Sequence, residues 1–317
     1  MGQSNVPLIA ITGPTASGKS DVGVALAQLL EGGGEGGGEV VNADAMQLYR
    51  GMDIGTAKLT GAEMQGVRHH LLDVLDVTQT AEVATYQGQA RDTFAQVRDR
   101  GHVPVLVGGS GLYVRAALDD LRFPGTDPVV RARWEAELEA LGPHTLHAHL
   151  ADRDPDAAAK ILPGNGRRIV RALEVGEITG RPFAASLPEQ TYLEPALQIG
   201  LAVPREQLDA RIDARVERMW AAGLVEEVRA LEGRGLREGL TAGRALGYAQ
   251  VLDAFDGKTT EDEARELTAR LTRRFARKQE SWFRRDPRVH WLEAPDGADP
   301  GDLARRVLQL LPVASPA

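Results

Sequence analysis

The stretch from Gly13 to Ser20, GPTASGKS, has the spacing G-x-x-x-x-G-K-[ST]. In loops of this type, glycines let backbone N–H groups approach phosphate oxygens, and the helix that follows adds a favourable dipole. The lysine bridges terminal phosphates and the last hydroxyl ligates Mg²⁺. We therefore predict a pyrophosphate- or nucleotide-binding site, with Ser20 as the metal ligand, formed by Gly13, Pro14, Thr15, Ala16, Ser17, Gly18, Lys19 and Ser20.

Two further polar residues follow apolar runs that we predict to be strands. Asp44 comes after Glu39–Asn42, and Ser110 comes after Val103–Val107 within a glycine-rich turn. Asp44 suits either a turn or helix cap, or a base that accepts a proton, a role worth about 10²–10⁴-fold in rate. Ser110 suits either a turn or a hydrogen bond to a phosphate oxygen or substrate. The residues alone leave both alternatives open.

The apolar runs alternate with helical patterns along most of the chain. This alternation predicts an α/β fold, with a mainly parallel sheet like that of P-loop NTPases and helices on both faces. Chemistry in such sheets gathers beyond the carboxyl ends of the strands, so the glycine loop, Asp44 and Ser110 should converge. The predicted strands are PLIAIT (7–12), EVVN (39–42), VPVLV (103–107), LQIGLAV (197–203) and RVHWL (288–292).

A purely helical pattern interrupts this alternation between the third and fourth of these strands. Asp127, Asp154 and Asn165 are predicted to begin its helices, because such residues cap helix N-termini. The predicted domains are therefore a core that begins with residues 1–118, a helical insertion over residues 119–193, and the remainder of the core over residues 194–317, with a long basic helix over Thr260–Arg285. The run EGGGEGGGE (Glu31–Glu39) predicts a flexible surface connection.

Charge is unevenly distributed along the chain. The net charge of −8 argues weakly against a nucleic-acid partner, but eight basic residues and only two acids lie between Arg270 and Arg288. Four basic residues and no acid lie between Ala157 and Leu173. Because local patches set the field that a phosphate backbone experiences, RNA binding and a simple solvated face both remain open.

Several classes of site and location are disfavoured. The chain has no cysteine, which excludes disulfides, thiolate zinc sites and cysteine-held clusters. His144, His147 and His149 do not share one helix face, so we interpret them as ordinary surface histidines rather than metal ligands. Without a basic leader or a long apolar run, we expect a cytoplasmic protein with no membrane association.

These observations leave three classes of function. They are a small-molecule kinase or NTPase, a transferase that uses a non-nucleotide pyrophosphate, and a phosphate-binding regulatory module. The run VPVLV ends in Gly-Gly rather than an acid, which counts against an ordinary NTPase. The DDxxD run by which many terpenoid enzymes hold diphosphate is also missing from the sequence.

Several stretches taken together resemble one family, the tRNA dimethylallyltransferases, also called tRNA isopentenyltransferases. The resemblance begins with the glycine loop and covers nearly the whole chain, with matching stretches in the same order and spacing. These are ADAMQLYRGMDIGTAK (43–58), HHLLDVLD (69–76), VGGSGLYV (107–114), RRIVRALEV (167–175), RALGYAQ (244–250) and RKQESWFRR (277–285).

The resemblance implies a reaction. The family transfers a dimethylallyl group from dimethylallyl pyrophosphate to N6 of the adenosine immediately 3′ to the anticodon in tRNA. The products are N6-(dimethylallyl)adenosine and pyrophosphate. We therefore expect the tRNA anticodon stem-loop and dimethylallyl pyrophosphate as partners, Mg²⁺ as cofactor, and a monomer. The alternative is a P-loop small-molecule kinase that binds ATP.

The resemblance also implies roles for individual residues. Asp44 would act as the base, Ser110 would orient the reacting groups, Arg131 would contact substrate and Arg244 would reach the pyrophosphate. The sequence departs from the family at Gly243, where isoleucine is common, and at Ala249, where a basic residue is frequent. The target base would have to leave its stack. The implied tRNA contacts are Asp44, Ala45, Met46, Gln47, Arg167, Arg168, Ile169, Val170, Arg171, Arg244, Ala245, Leu246, Gly247, Tyr248 and Ala249.

Overall fold

The computed structural model describes residues 7–32, 36–183 and 189–311. The chain divides into two compact units. Met1–Asp119 and Tyr192–Ala317 form what we call the core unit, and Asp120–Thr191 form the inserted unit.

The core unit is built on a six-stranded sheet whose ladders are all parallel within the described residues. The expected α/β fold with a parallel sheet is confirmed. Each of the five predicted strands forms, with bounds shifted by one residue at most ends. The sheet order is β3-β2-β4-β1-β5-β6, with β1 Leu8–Thr12, β2 Gly38–Asn42, β3 His69–His70, β4 Val103–Gly108, β5 Ala196–Ala202 and β6 Val289–Glu293.

Helices follow most of the strands of the core unit, and three further helices form the inserted unit. Among the described residues they are α1 Lys19–Gly32, α2 Val83–Asp99, α3 Gly111–Leu118, α4 Pro128–Arg153, α5 Pro155–Lys160, α6 Gly166–Thr179, α7 Arg205–Ala221, α8 Leu224–Glu232, α9 Tyr248–Phe255, α10 Glu261–Phe283 and α11 Pro300–Gln309.

The sheet has an apolar core on each face. One core joins the sheet to α1 and α11 through side chains such as Leu26 and Val307. The other joins it to α2 and α3 through side chains such as Phe94 and Leu118. Because the central strand β1 is covered on both faces, its run LIAI is fully buried, which explains why it is continuously apolar rather than alternating.

A third apolar cluster supports the segment that follows β2. Tyr49 and Met52 are fully buried against α8 and α9, in contact with residues such as Leu224 and Tyr248. This packing holds the backbone from residue 44 to residue 58 over the carboxyl end of the sheet, where the glycine loop also lies.

The expectation of a flexible connection over Glu31–Glu39 is wrong at both ends, whereas the predicted strand EVVN (39–42) correctly included Glu39. Glu31 belongs to α1 and Glu39 belongs to β2, while residues 33–35 lie outside the described residues. Glu39 is buried, and Arg100 donates hydrogen bonds of 2.9 and 2.6 Å to its two carboxylate oxygens. Burial raises the pKa of Glu39, but hydrogen bonds from Arg100 and His70 outweigh this and lower it to about 2.

The inserted unit is a small helical assembly with its own core. Asp127, Asp154 and Asn165 cap α4, α5 and α6 through side-chain hydrogen bonds, as their residue types predicted. A kink at Gly142, where φ is 77°, interrupts α4. Trp134 is among the buried residues that close the core of this unit.

Candidate active site

The glycine loop connects β1 to α1 with a backbone that few other sequences could adopt. Gly13 and Gly18 have φ of 144° and 85°, and Ala16 lies in the left-handed region at 62°. Glycine adopts positive φ without steric cost, so the spacing of the motif matches the backbone it must form. The first turn of α1, with its unpaired N–H groups, begins at Lys19.

The loop carries polar groups suited to an anion. Ser17 is 2% exposed, and its Oγ has no hydrogen-bond partner within the described structure. Lys19 donates from Nζ to the carbonyl of Pro14 at 2.6 Å. Since buried polar groups are normally hydrogen-bonded, the unpaired hydroxyl beside a helix N-terminus fits a phosphate oxygen.

A cavity of about 770 Å³ opens over this loop, and we call it the phosphate-loop cavity. Lys19 and Ser20 line it from one side. Arg211, Arg215 and Arg218 line it from α7, where their i, i+4, i+7 spacing places them on one helix face. These arginines were not predicted from the sequence, although their spacing was a signal that could have found them.

Arg215 contacts both walls of the phosphate-loop cavity. Its guanidinium donates to Thr15 Oγ1 at 3.3 Å and to the carbonyl of Thr56 at 3.4 Å. Burial lowers the pKa of Arg215, while Asp44 acts to raise it. Burial also lowers the pKa of Lys19 to about 8, where Asp44 acts to raise it and Arg215 to lower it further. A bound anion would relieve this crowding of positive charge.

Asp44 lies at the end of β2 and uses one carboxylate oxygen as a cap. Its Oδ1 accepts from the N–H of Met46 at 2.9 Å, at the start of a short 3₁₀ helix, Ala45–Leu48. The backbone N–H of Asp44 donates to Asn42 Oδ1 at 2.9 Å, which holds the turn in place. Asp44 Oδ2 accepts no hydrogen bond from the described residues. The capping interpretation is therefore correct, and it leaves one oxygen for chemistry.

Ser110 lies beside this turn, at the end of β4. Its Oγ accepts from the N–H of Ala45 at 3.2 Å, so the hydroxyl hydrogen remains available for donation. Gly108 allows this approach, because a Cβ there would lie 2.3 Å from the carbonyl oxygen of Ala43. The structure thus brings the glycine loop, Asp44 and Ser110 together at the carboxyl end of the sheet.

A second cavity, of about 530 Å³, adjoins the first, and we call it the apolar cavity. Ser110 and Arg244 line it, together with apolar side chains of α7 and α10 such as Val216 and Phe275. The residues that line both cavities are Thr15, Asp44, Thr56, Arg215 and Met219. Asp44 and Arg215 therefore stand where the two cavities meet.

The predicted tRNA contacts of the core unit occupy different environments. Gln47 lines the phosphate-loop cavity, whereas Arg244, predicted to reach the pyrophosphate, is exposed and lines the apolar cavity. Tyr248 is fully buried, so its side chain offers no surface for RNA. Four more of the predicted contacts line the apolar cavity: Ala45, Met46, Ala245 and Leu246. Gly247, with φ of 87°, is the N-cap of α9, and Ala249 lies in its first turn.

Glu227 on α8 holds one wall of the cavities in place, and its role was not predicted from the sequence. Its carboxylate accepts from the N–H groups of Asp53, Ile54 and Gly55 at 3.1, 2.8 and 3.2 Å. It also accepts from the Tyr248 hydroxyl at 2.5 Å. These four bonds hold the GMDIGTAK segment in place, so that Thr56 can receive Arg215.

In the inserted unit, Glu174 gathers two of the predicted site residues. It is fully buried, with Arg131 at 2.6 Å and Arg171 at 2.8 Å. Burial raises the pKa of Glu174, but the two arginines outweigh this and lower it. Arg171 also donates to the carbonyl of Pro124 at 2.5 Å. Both arginines therefore have a structural role within the unit.

The remaining predicted residues of α6 separate by exposure. Ile169 and Val170 lie in the core of the inserted unit, so their side chains stabilise the helix rather than present a surface. Arg167 and Arg168 are exposed at the start of α6. Arg167 and Arg168 are therefore the exposed arginines of the RRIVR segment.

The described residues contain no group of three or more His, Asp or Glu side chains arranged to hold a metal. His147 instead lies within hydrogen-bond distance of the carbonyls of Ala158 and Ile161, at 3.0 and 2.8 Å, so it is half-buried rather than a surface residue. Mg²⁺ usually takes few protein ligands alongside substrate phosphates, so Ser20 in the phosphate-loop cavity fits that role.

None of the helices in the described ranges is long and apolar enough to cross a membrane.

Comparisons with known proteins show the family of the chain. The tRNA dimethylallyltransferase of Kineococcus radiotolerans is 83% identical over 317 residues, which is 100% of both chains. That of Thermobifida fusca is 66% identical over 92% of each chain. The solved full-length tRNA isopentenylpyrophosphate transferase of Bacillus halodurans is 39% identical, with a TM-score of 0.68 over 96% of this chain and 94% of that one. The sequence also matches the IPP transferase family over residues 47–286, and the chain belongs to this family.

Proposed function

We propose that the chain transfers a dimethylallyl group from dimethylallyl pyrophosphate to N6 of the adenosine immediately 3′ to the anticodon in tRNA. The observation that carries this proposal is the junction of two unlike cavities at Asp44 and Arg215. One cavity is lined by groups that bind phosphate and the other is largely apolar. A prenyl pyrophosphate and an adenine base would meet at that junction.

The phosphate-loop cavity suits the leaving group. As the allylic carbon–oxygen bond breaks, its electron pair leaves with the pyrophosphate, and negative charge grows on the phosphate oxygens. Donors fixed in advance around that charge stabilise the transition state. Lys19, Arg215 and the loop N–H groups would act in this way. Ser20 would hold Mg²⁺, which supplies further neutralisation of the pyrophosphate when bound.

The Asp44–Ser110 pair suits the acceptor. N6 of adenine forms a new bond to the allylic carbon and loses one proton, which Asp44 Oδ2 is free to accept. The Ser110 hydroxyl would donate a hydrogen bond that orients the reacting groups. To reach an enclosed site of this kind, the target adenine has to leave its stack in the RNA. This unstacking costs a few kcal/mol of free energy.

Exposed basic residues suit the tRNA backbone. Arg167 and Arg168 of the inserted unit are exposed, as is Arg244 of the core unit. The anticodon stem-loop is the proposed RNA ligand, and phosphate contacts of this kind position RNA without reading its sequence. A monomeric state and a cytoplasmic location stay predictions.

The direct test uses dimethylallyl pyrophosphate labelled in the prenyl group, incubated with the chain and total tRNA. We expect label in tRNA, and digestion should release it as N6-(dimethylallyl)adenosine. Lys19→Ala should lose most of this incorporation at low prenyl donor concentration. Unlabelled tRNA, combined with transfer of γ-phosphate from ATP to a small molecule, would instead favour the kinase alternative.

A further inference from the structure

Gln279, in the middle of α10, links two strand ends that the sequence places far apart. Its Oε1 accepts from the backbone N–H of Thr15 at 2.9 Å. Its Nε2 donates to the carbonyl of Gly109, also at 2.9 Å. Thr15 belongs to the loop after β1 and Gly109 to the turn after β4, and these strands are neighbours in the sheet. One amide therefore connects the two loops.

The surroundings leave this side chain little freedom. Gln279 is 6% exposed. A Cβ on Gly109 would lie 2.5 Å from Gln279 Nε2, and one on Gly111 would lie 2.3 Å from the ring of Trp282. Helix α10 thus lies directly against the 109–111 turn, and only glycines allow that approach. A substitution that changes the amide therefore alters the contacts that hold both loops.

Each bonded loop carries one half of the proposed reaction. Thr15 is in the pyrophosphate loop, and its Oγ1 accepts from Arg215. Gly109 precedes Ser110, whose Oγ receives the N–H of Ala45 beside Asp44. We propose that Gln279 is a positioning residue that fixes the distance between the leaving-group loop and the Asp44–Ser110 pair. This inference rests on the proposed prenyl transfer and deepens it.

Loss of the two Gln279 hydrogen bonds should lower the rate of prenyl transfer. A misplacement of reacting groups by about 1 Å costs about 10²-fold in rate. Gln279→Leu removes both hydrogen bonds while keeping a similar volume. We expect its single-turnover prenylation rate to fall about 10²-fold. Gln279 lines the phosphate-loop cavity, but both hydrogen bonds of its amide go to backbone groups of the chain. The dissociation constants for dimethylallyl pyrophosphate and for tRNA should therefore change by less than about threefold.

Gln198→Leu is the matched control. Gln198 is also buried, at 2% exposed, but it lies in β5 and accepts from the Tyr192 hydroxyl at 3.3 Å, away from both cavities. The two variants make the same chemical change at similar burial. We expect both to lose thermal stability, and only Gln279→Leu to lose turnover. Equal turnover in the two variants would show that Gln279 is merely structural.

Gln279→Glu provides a pH-dependent measurement that a loss of stability alone would not explain. An ionised carboxylate keeps the acceptor for Thr15 but places a negative oxygen against the Gly109 carbonyl. A protonated carboxyl can donate to that carbonyl, as the amide does. The rate of Gln279→Glu relative to the original chain should therefore recover as the pH falls through the pKa of the introduced carboxyl.

The positioning role of Gln279 and the proposed prenyl transfer can fail independently in these experiments. A relative rate for Gln279→Glu that does not vary with pH would overturn the positioning role, and this holds even where Gln279→Leu does not fold. A failure of the proposed function is distinguishable, because then the unsubstituted chain would itself not prenylate tRNA.

Discussion

Replacing Asp44 with asparagine isolates its charge from its structural role. Asp44 Oδ1 caps the 3₁₀ helix Ala45–Leu48 by accepting from Met46. An asparagine side-chain oxygen can accept the same hydrogen bond, and asparagine caps helices about as well as aspartate. The substitution therefore preserves the turn and removes the proton acceptor at Oδ2.

The magnitude follows from what is lost and what is kept. A positioned base contributes about 10²–10⁴-fold, equivalent to about 2.7–5.5 kcal/mol of transition-state stabilisation. We expect the single-turnover rate to fall by that factor. Asp44 is also the anionic neighbour of Lys19 and Arg215, so its neutralisation makes the cavity more positive. Binding of the anionic donor should therefore be no weaker than in the original chain.

The assay is a rapid-quench single turnover at pH 7, with saturating enzyme, labelled dimethylallyl pyrophosphate and tRNA. Asp299→Asn is the control, because Asp299 caps α11 by accepting from Asp302 at 2.9 Å and lines neither cavity. We expect that control to turn over normally. A near-normal rate for Asp44→Asn would refute the reasoning and leave Asp44 a cap alone.

Three further outcomes test other regions of the site. Lys19→Ala should weaken binding of dimethylallyl pyrophosphate and leave tRNA affinity nearly intact; equal loss of both in a filter assay would contradict a separate phosphate loop. In the original chain, donor affinity should fall as the pH rises through about 8, because Lys19 then loses its proton; a flat profile in titrations from pH 6 to 9 would exclude this. Arg167→Ala with Arg168→Ala should flatten the dependence of log K on log salt by roughly 0.7–0.9 per lost phosphate contact, and an unchanged slope would leave them a solvated face.

Strands were predictable where their burial is complete. The runs that became β1 and β4 are apolar along their length because helices cover both faces of the sheet. The strand β3 is only two histidines, and it exists because it pairs with β2. Two polar residues are too few to predict a strand, so β3 could be identified only from its pairing with β2.

The environment of the Glu39 side chain could not be predicted from the sequence either. The run EVVN predicted that Glu39 begins a strand, but not that its side chain is buried and bound by Arg100, 61 residues away. The nearby sequence carries no trace of that partner. Only the pairing of β2 with β4 brings the two together.

The loop from Gly13 to Ser20 was determined by its own sequence, because its chemistry comes from backbone N–H groups and glycine conformations within eight consecutive residues. The rest of the site was decided by tertiary structure. Arg215 and Gln279 reach Thr15 from 200 and 264 residues away, and they do so because α7 and α10 pack over the carboxyl end of the sheet. A local motif is set by short-range sterics. The spacing on α7 could suggest an arginine face, but the distance in sequence between Thr15 and its partners Arg215 and Gln279 is set by long-range packing and follows no fixed pattern.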